Sequence, residues 1–522
     1  MSFAKTSSAQ TVGLGAKIID VEIDLSKGLH SFTIVGLPDK GVEESRDRVS
    51  ASIKNTGFTS PKSLNQKVVV SLAPADLKKE GPIFDVAISM AYLLAKDEIK
   101  FNPQKILFLG ELSLDGNLRR VNGVLPIIAE AKNNGFTEVF LPKENAREAA
   151  LVSDIKIYGA KNLKEIIEHL NTKEIDKRSD PNVIKQKRIY LQPQTEIFIE
   201  EDNEPVIDFS EIKGQESAKR GLEIAAAGGH NIAMFGPPGT GKTMLAKAFG
   251  NILPTLSFEE ILEITSIHSV AGVLKKDIIS RPPIRNPHHT ASYVSIVGGG
   301  AIPKPGEITL AHRGILFLDE FPEFDKKVIE TLREPLEEGE ISISRSKGTI
   351  TFPANFILIA AMNPCPCGNF GSKTKECICK PTDLLRYQRK ISGPIIDRID
   401  MWVEVSQINY EKLGEVNVER KETEEIRKRV IRAREIQRGR FKNLKTKIKT
   451  NSEMSAKEIS KLANLEMNAK EILNASAKKL NLSARVYHRI IKIGQTIADL
   501  DNSKNIKAAH ILEALQYRPK RN

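Results

Sequence analysis

An apolar run, Ile232–Phe235, leads straight into the octapeptide GPPGTGKT, and the residues after it, MLAKAFGNIL, have the pattern of a helix. No other feature restricts the fold as tightly. A buried strand, a glycine-rich turn and a helix N-terminus must follow one another without a gap, as they do at the edge of a parallel α/β sheet. The glycines let successive backbone N–H groups turn inward around phosphate oxygens. The helix start adds a dipole that favours an anion. Lys242 is expected to reach the outer phosphates, and the Thr243 hydroxyl to ligate Mg²⁺. Gly236, Pro237, Pro238, Gly239, Thr240, Gly241, Lys242 and Thr243 are therefore the expected cradle for ATP. A glycine-rich turn with an accidental lysine would lack the strand before it and the helix after it.

A nucleotide site of this kind also needs an acid for the metal. HRGILFLDEF supplies an apolar strand that ends in Asp319 and Glu320. Asp319 is the expected partner of Thr243 in holding Mg²⁺. Glu320 is the expected general base that polarises the attacking water. FILIAAMN reads as a further buried strand ending in Asn363. Placed beside the phosphate-loop strand, Asn363 would point at the γ-phosphate; a strand-end asparagine that caps a turn is the plainer alternative.

The 522 residues allow about two to four domains, and composition divides them. Residues 1–170 alternate strand-like runs (KVVVSLA, KILFLG, TEVFLP) with helical ones. Residues 171–205 are charged, carry prolines and lack periodicity, as a linker does. Residues 206–410 hold short apolar strands between helices. Residues 411–522 are helical and basic. No run approaches the roughly 20 apolar residues of a membrane span, and the first residues contain no apolar leader. Four cysteines do not make a secreted disulfide framework. A cytoplasmic protein without a membrane partner is expected. The formal charge of +12 favours an acidic partner such as nucleic acid, although a lysine-rich solvated surface would give the same number.

More specific strings accompany the phosphate loop. DFSEIKGQESAKRGLEIAAAGGHNIAMFGPPGTGKT, RNPHHT, VGGG, KPGEITLAHRGILFLDEFPEF, MNPCPCG, SGPIIDRID and, near the C-terminus, LSARVYHRIIKIGQTIADL resemble the magnesium-chelatase-like AAA+ ATPases of the ComM or YifB group. The resemblance covers nearly the whole chain. It implies a P-loop AAA+ core, a parallel sheet with helices on both faces, followed by a C-terminal helical lid. It also implies a homo-hexameric ring, assembled on nucleotide or DNA, that acts as a helicase or branch-migration motor on single-stranded or branched DNA in homologous recombination and natural transformation. An ATPase subunit of a metal-chelatase complex and a protein-remodelling ATPase are the alternatives. Within this resemblance Arg398 of DRID looks like an arginine finger that reaches a neighbouring subunit's ATP. Arg485 looks like the sensor-2 arginine of the lid, a role that Arg489 one turn later would share. Gly214 and Gln215 would lie near the adenine.

The first domain resembles an α+β Lon-protease-like, ribosomal-protein-type domain of the ChlI kind. DGNLRRVNGVLPIIAEAKNNG and KKEGPIFDVAISMAYL carry the likeness. The position of the nucleophilic serine is occupied by Ile83, and that of the catalytic lysine falls near Leu125. Neither side chain can act as nucleophile or base, so a fold without peptidase activity is expected. A similar domain in the recombination protein RadA suggests DNA binding or ring assembly by fold analogy alone.

Three smaller features remain. All four cysteines, Cys365, Cys367, Cys377 and Cys379, lie in one short window with the spacing C-x-C-x₉-C-x-C. Four thiolates would close a tetrahedral Zn²⁺ site; a redox pair or an unliganded loop fits the same spacing. EISIS and TITFP flank RSKG as a β-hairpin with Arg345 and Lys347 at its tip; the resemblance to ring motors implies a pore-lining hairpin that touches DNA phosphates, and a solvated hairpin turn fits the same residues. His288 and His289 are adjacent and are read as loop residues, not as metal ligands. Finally, Arg427 to Lys449 contains eleven lysines and arginines against one acid, Glu435. Ile426, Val430, Ala433 and Ile436 give it one apolar helical face. The cations on the other faces are either a DNA-facing arm or a solvated surface.

Overall fold

A computed structural model describes residues 2–172, 189–195, 207–300, 303–345, 348–371, 375–407, 421–442, 444 and 448–519. The chain forms two compact units. The first comprises Met1–Ile199 with Phe258–Ile279, and the second Glu200–Ser257 with Ser280–Asn522. The span expected as one ATPase core, 206–410, is thus interrupted: 258–279 belong with the N-terminal residues. The expected linker is also shorter than 171–205. Gln192 N–H donates to the Ile157 carbonyl at 2.9 Å and Thr195 N–H to the Ala150 carbonyl at 3.0 Å, so 189–195 dress the first unit. The rest of that span lies outside the described residues.

The first unit is built on a seven-stranded mixed sheet. Its order is Ser31–Val35, Gln66–Ala73, Gly15–Lys27, Phe3–Val12, Ile106–Phe108, Glu138–Pro142, Lys156–Ala160. Alternation drives the register. Ile19, Val21 and Ile23 of the long second strand are buried while the residues between them face outward, as expected for a sheet with one covered face. The helix Asp85–Ala95, which buries nearly every residue, covers that face. Asp85 is itself buried. Burial pushes its carboxyl above the ordinary range, and a bidentate contact with Arg48, at 2.7 and 3.2 Å, acts against that rise.

Residues 258–279 join this unit through polar contacts as well as packing. The buried Glu148 carboxylate accepts from the Ser269 hydroxyl at 2.5 Å and from Leu125 N–H at 3.2 Å. Gly123 N–H donates to Ser269 Oγ at 3.0 Å. The sequence carries no local mark of this junction, because its partners lie more than a hundred residues apart.

The second unit contains a five-stranded, wholly parallel sheet ordered Ile284–Arg285, Ile315–Leu318, Ile357–Met362, Ile232–Phe235, Met401–Glu404. Its central strands are apolar along their length, which is the signature of burial on both faces. Helices Glu216–Gly228 and Lys242–Ile252 pack with it, as do Glu422–Phe441 and Ala484–Leu500 from the C-terminal part. The α/β core with a C-terminal helical portion expected from the sequence is present. The hairpin is present too: Glu340–Arg345 pairs with Gly348–Pro353, from Glu340 opposite Pro353 to Arg345 opposite Gly348. Among the described residues no helix is long and apolar enough to cross a membrane.

Ser269→Ala removes one partner from a buried carboxylate and one from the Gly123 amide. It should lower the stability of the first unit by about 1–3 kcal/mol, read as a shifted urea-unfolding transition. An unchanged transition would show that the junction adds nothing to stability.

Candidate nucleotide-binding site

Parallel pairing brings the strand ends nearly level. Phe235 stands opposite Met362 on one side and Glu404 on the other, and Leu318 opposite Ala360. The residues that leave these strands, Gly236, Asn363 and Asp319, therefore emerge at one edge. This is the carboxyl edge, where open α/β sheets bind ligands. Gly236 N–H donates to the Met362 carbonyl at 3.2 Å. A Cβ at Gly236 would stand 2.0 Å from the Val405 carbonyl oxygen, so the loop leaves the sheet through a gap that only glycine fits.

Lys242 begins the following helix and is buried. Its ammonium donates to the carbonyls of Gly236 at 2.7 Å and Pro237 at 2.8 Å, and to Asn363 Oδ1 at 3.2 Å. Burial pushes its pKa below the ordinary lysine value, and the charge of Asp319 opposes that shift. A buried ammonium bonded to neutral acceptors is a ready partner for an anion. The Thr243 hydroxyl donates to Asp319 Oδ2 at 2.8 Å; Thr243 is exposed and Asp319 half-buried. A hydroxyl and a carboxylate this close are hard oxygen donors of the kind Mg²⁺ takes. Lys242, Thr243, Asp319 and Asn363 thus converge as the sequence leads one to expect. Thr240 closes the loop by donating to the Pro237 carbonyl at 2.9 Å.

Glu320 follows Asp319 at φ 51°, a backbone region uncommon for a residue with a side chain. Its carboxylate lies 3.1 Å from His289 Nδ1. The His289 ring lies 4.2 Å from that of His288, tilted by 32°, and meets Phe324 edge-on at 6.4 Å. His289 was expected only as a loop residue; its pairing with Glu320 is a tertiary contact that no spacing announces. Gln215 reaches the loop as well, donating to the Thr240 carbonyl at 3.4 Å and to Ser406 at 2.5 Å. Gly214 beside it adopts φ 64°.

The two expected arginines form a second group. Arg398 donates to Glu337 and to the Pro394 carbonyl, and Arg485 lies 3.7 Å from the same Glu337. Neither is a partner of Lys242 or Asp319 within the chain. Arg489 is buried, donates to the Asp397 carbonyl and lies 3.5 Å from Asp400. It holds the backbone beside Arg398 in place, and a shared role with the half-exposed Arg485 does not follow from its surroundings.

The four cysteine sulfurs all come within 4.8 Å of one another. Cys365 stands 3.4 Å from Cys367 and 3.8 Å from Cys377, and Cys367 and Cys377 are 3.6 Å apart. Arg345 ends its strand, and Lys347 lies outside the described residues. The basic helix is clearer. Ile426, Val430 and Ala433 are buried as expected, but Gln437 and not Ile436 completes the face, donating to the Ala227 carbonyl at 2.9 Å. Arg429 bonds Glu223 at 2.5 Å, Arg434 the Ala226 carbonyl at 2.8 Å and Arg440 Asp499 at 3.0 Å. These three cations hold the helix to its neighbours, while Lys428, Arg432 and Arg438 are exposed. In the first unit Ile83 and Leu125 are both buried aliphatic side chains.

Three family models match consecutive parts of the chain: subunit ChlI of Mg-chelatase over residues 21–145, magnesium chelatase subunit ChlI over 208–413, and its C-terminal region over 420–518. The chain is 41% identical to the competence protein ComM of Haemophilus influenzae over 99% of its own length and 98% of that protein. It is 39% identical to YifB of Escherichia coli over 99% and 97%. It is 31% identical to the magnesium-chelatase 38 kDa subunit of Rhodobacter capsulatus over 31% of this chain and 51% of that one.

Gly236→Ala forces the loop away from the Val405 carbonyl. The expected cost is about 1–3 kcal/mol, as for other overpacked sites, together with weakened binding of an ATP analogue. Thermal unfolding and binding like those of the unsubstituted protein would contradict the close approach.

Proposed function

This chain belongs to the magnesium chelatase family of subunit ChlI, and from that membership we propose that it is an ATP-driven motor acting on DNA as a ring of identical subunits. The observation that carries the ATPase reading is the meeting of Lys242, Thr243, Asp319 and Asn363 at the carboxyl edge of the parallel sheet. Phosphate oxygens entering the loop would replace the Gly236 and Pro237 carbonyls as partners of Lys242 and restore its charge balance. Thr243 and Asp319 would hold Mg²⁺. The ion, when bound, neutralises charge on the β- and γ-phosphates. Asn363 orients the γ-phosphate, Glu320 accepts the proton of the attacking water, and His289 holds Glu320 through its Nδ1 contact.

Arg398 is the finger of this reading. Its guanidinium is tied to Glu337, away from its own chain's Lys242, which supports action on a neighbouring subunit's nucleotide and therefore a closed ring, taken here as a hexamer. Arg485, tethered to the same Glu337, would report closure of the lid. DNA as the cargo is supported by the +12 charge, the exposed cations Lys428, Arg432 and Arg438, and the hairpin bearing Arg345 and Lys347. Full-length similarity to a protein named for competence supports a place in recombination of DNA taken up in transformation, in the cytoplasm. A chelatase ATPase subunit is the second reading. Its relative aligns over only half of its own length, whereas ComM aligns from end to end. The reading also takes the four cysteines as ligands of a structural zinc ion.

Forked or four-way DNA should raise ATP turnover several-fold; a rate unmoved by any DNA would remove the motor reading and leave the chelatase one. Arg398→Ala should bind ATP normally and lose on the order of 10³-fold in turnover, and normal hydrolysis would exclude it as the finger. His289→Ala should lower kcat by about 10-fold, less than the roughly 10²–10⁴-fold of an acid–base group itself because His289 acts through Glu320, with nucleotide affinity within about twofold of the unsubstituted protein. A change confined to KM would assign His289 to binding instead.

A further inference from the structure

Among the described residues the one group of three or more histidine, cysteine or carboxylate side chains close enough to share a metal ion is Cys365, Cys367, Cys377 and Cys379. Thiolates about 2.3 Å from zinc at the corners of a tetrahedron stand about 3.8 Å apart. The sulfurs of Cys365, Cys367 and Cys377 are 3.4–3.8 Å from one another, far beyond a disulfide bond of about 2.05 Å. Phe370 N–H donates to Cys365 Sγ at 3.2 Å, the kind of outer contact that orients a metal-bound thiolate. The cluster has the dimensions of a closed tetrahedral site.

Its position gives it a further consequence. Cys365 and Cys367 follow Asn363 directly, and between them and the second pair the chain turns at Gly368, φ 79°. The Gly368 N–H donates to the Cys365 carbonyl at 3.0 Å. A Cβ on Gly368 would stand 2.5 Å from Pro238 Cδ and 3.1 Å from its Cγ. Pro238 is the third residue of the phosphate loop. The cysteine loop therefore rests on the phosphate loop with no atom to spare, at one end of a turn whose shape the four sulfurs set. The loop has almost no core of its own: of the four cysteines only Cys365 is buried. Its order must come from the ligands it binds.

We propose that the four cysteines hold a zinc ion that keeps Gly368 seated on Pro238, so that metal occupancy sets the shape of the phosphate loop and with it the affinity for nucleotide. The proposal rests on the zinc reading above and adds to it a mechanical link to ATP. The ion performs no chemistry. It fixes a turn, and the turn braces the cradle.

Two glycines of this loop separate contact from strain. Gly368 and Gly371 both adopt positive φ, 79° and 76°, but among the described residues nothing lies within 4 Å of a Cβ on Gly371. Alanine strains the backbone at both positions and meets Pro238 only at 368. The test measures zinc per chain by elemental analysis and affinity for a non-hydrolysable ATP analogue, on the full-length protein. The unsubstituted protein should carry one zinc per chain. Gly368→Ala should retain the zinc and bind the analogue about tenfold more weakly, a difference of about 1.4 kcal/mol. Gly371→Ala should retain both within about twofold. Cys377→Ser should lose the zinc and weaken binding as Gly368→Ala does. A protein purified without zinc, and unable to take it up when supplied, overturns the metal site. Zinc present at full occupancy with Gly368→Ala binding like the unsubstituted protein overturns the link while leaving the metal site standing.

Discussion

The nucleotide site depends on one register, Phe235 opposite Met362 in a parallel pair. A slip of one residue would exchange the side chains of the two packed faces and separate Lys242 from Asn363. Asn231, just before the phosphate-loop strand, ties that register to the arginine segment. Its Oδ1 accepts from Leu358 N–H at 2.9 Å, its side-chain amide donates to the Arg398 carbonyl at 3.2 Å, and its backbone N–H to Asp400 at 3.1 Å. Arg489 reaches the same segment from the C-terminal helix Ala484–Leu500. The segment carrying Arg398 is thus pinned from the strand on one side and from the helical part on the other. A movement of that helix has a short path to Arg398, and a movement of Asn363 a short path to the cysteine loop.

Charge is divided between holding the fold together and facing solvent. The helix Glu422–Phe441 is strongly basic, yet Arg429, Arg434 and Arg440 are engaged by Glu223, the Ala226 carbonyl and Asp499. Their partners are an acid or a carbonyl of a packed neighbour, and Arg434 and Arg440 are part-buried. The exposed remainder, with Lys428, Arg432 and Arg438 among it, is the portion available to an acidic partner. Net charge therefore overstates the surface that a polyanion meets.

Much of the site was legible because its residues sit at the ends of contiguous apolar runs. A buried strand that ends in GPPGTGKT, another in Asp319–Glu320 and a third in Asn363 leave few arrangements other than adjacent parallel strands with their ends at one edge. The contacts that escaped are those between distant segments with no periodic mark. His289 reaches Glu320, Arg398 and Arg485 share Glu337, and Ser269 reaches Glu148. Residues 258–279 illustrate the same limit. As sequence they continue the ATPase core, whereas packing and contacts such as those of Ser269 with Glu148 and Gly123 place them in the first unit.

The sequence by itself determined the chemistry of the cradle and the order of the strands around it, because glycine spacing, strand hydrophobicity and helix starts are local and each has one physical explanation. It also put four thiols within one short window. Tertiary structure alone decided which charges meet, which cations of the basic helix stay exposed, and that the cysteine loop rests on Pro238. These outcomes follow from side chains far apart in the chain competing for the same buried partners, and a linear pattern does not record who wins that competition.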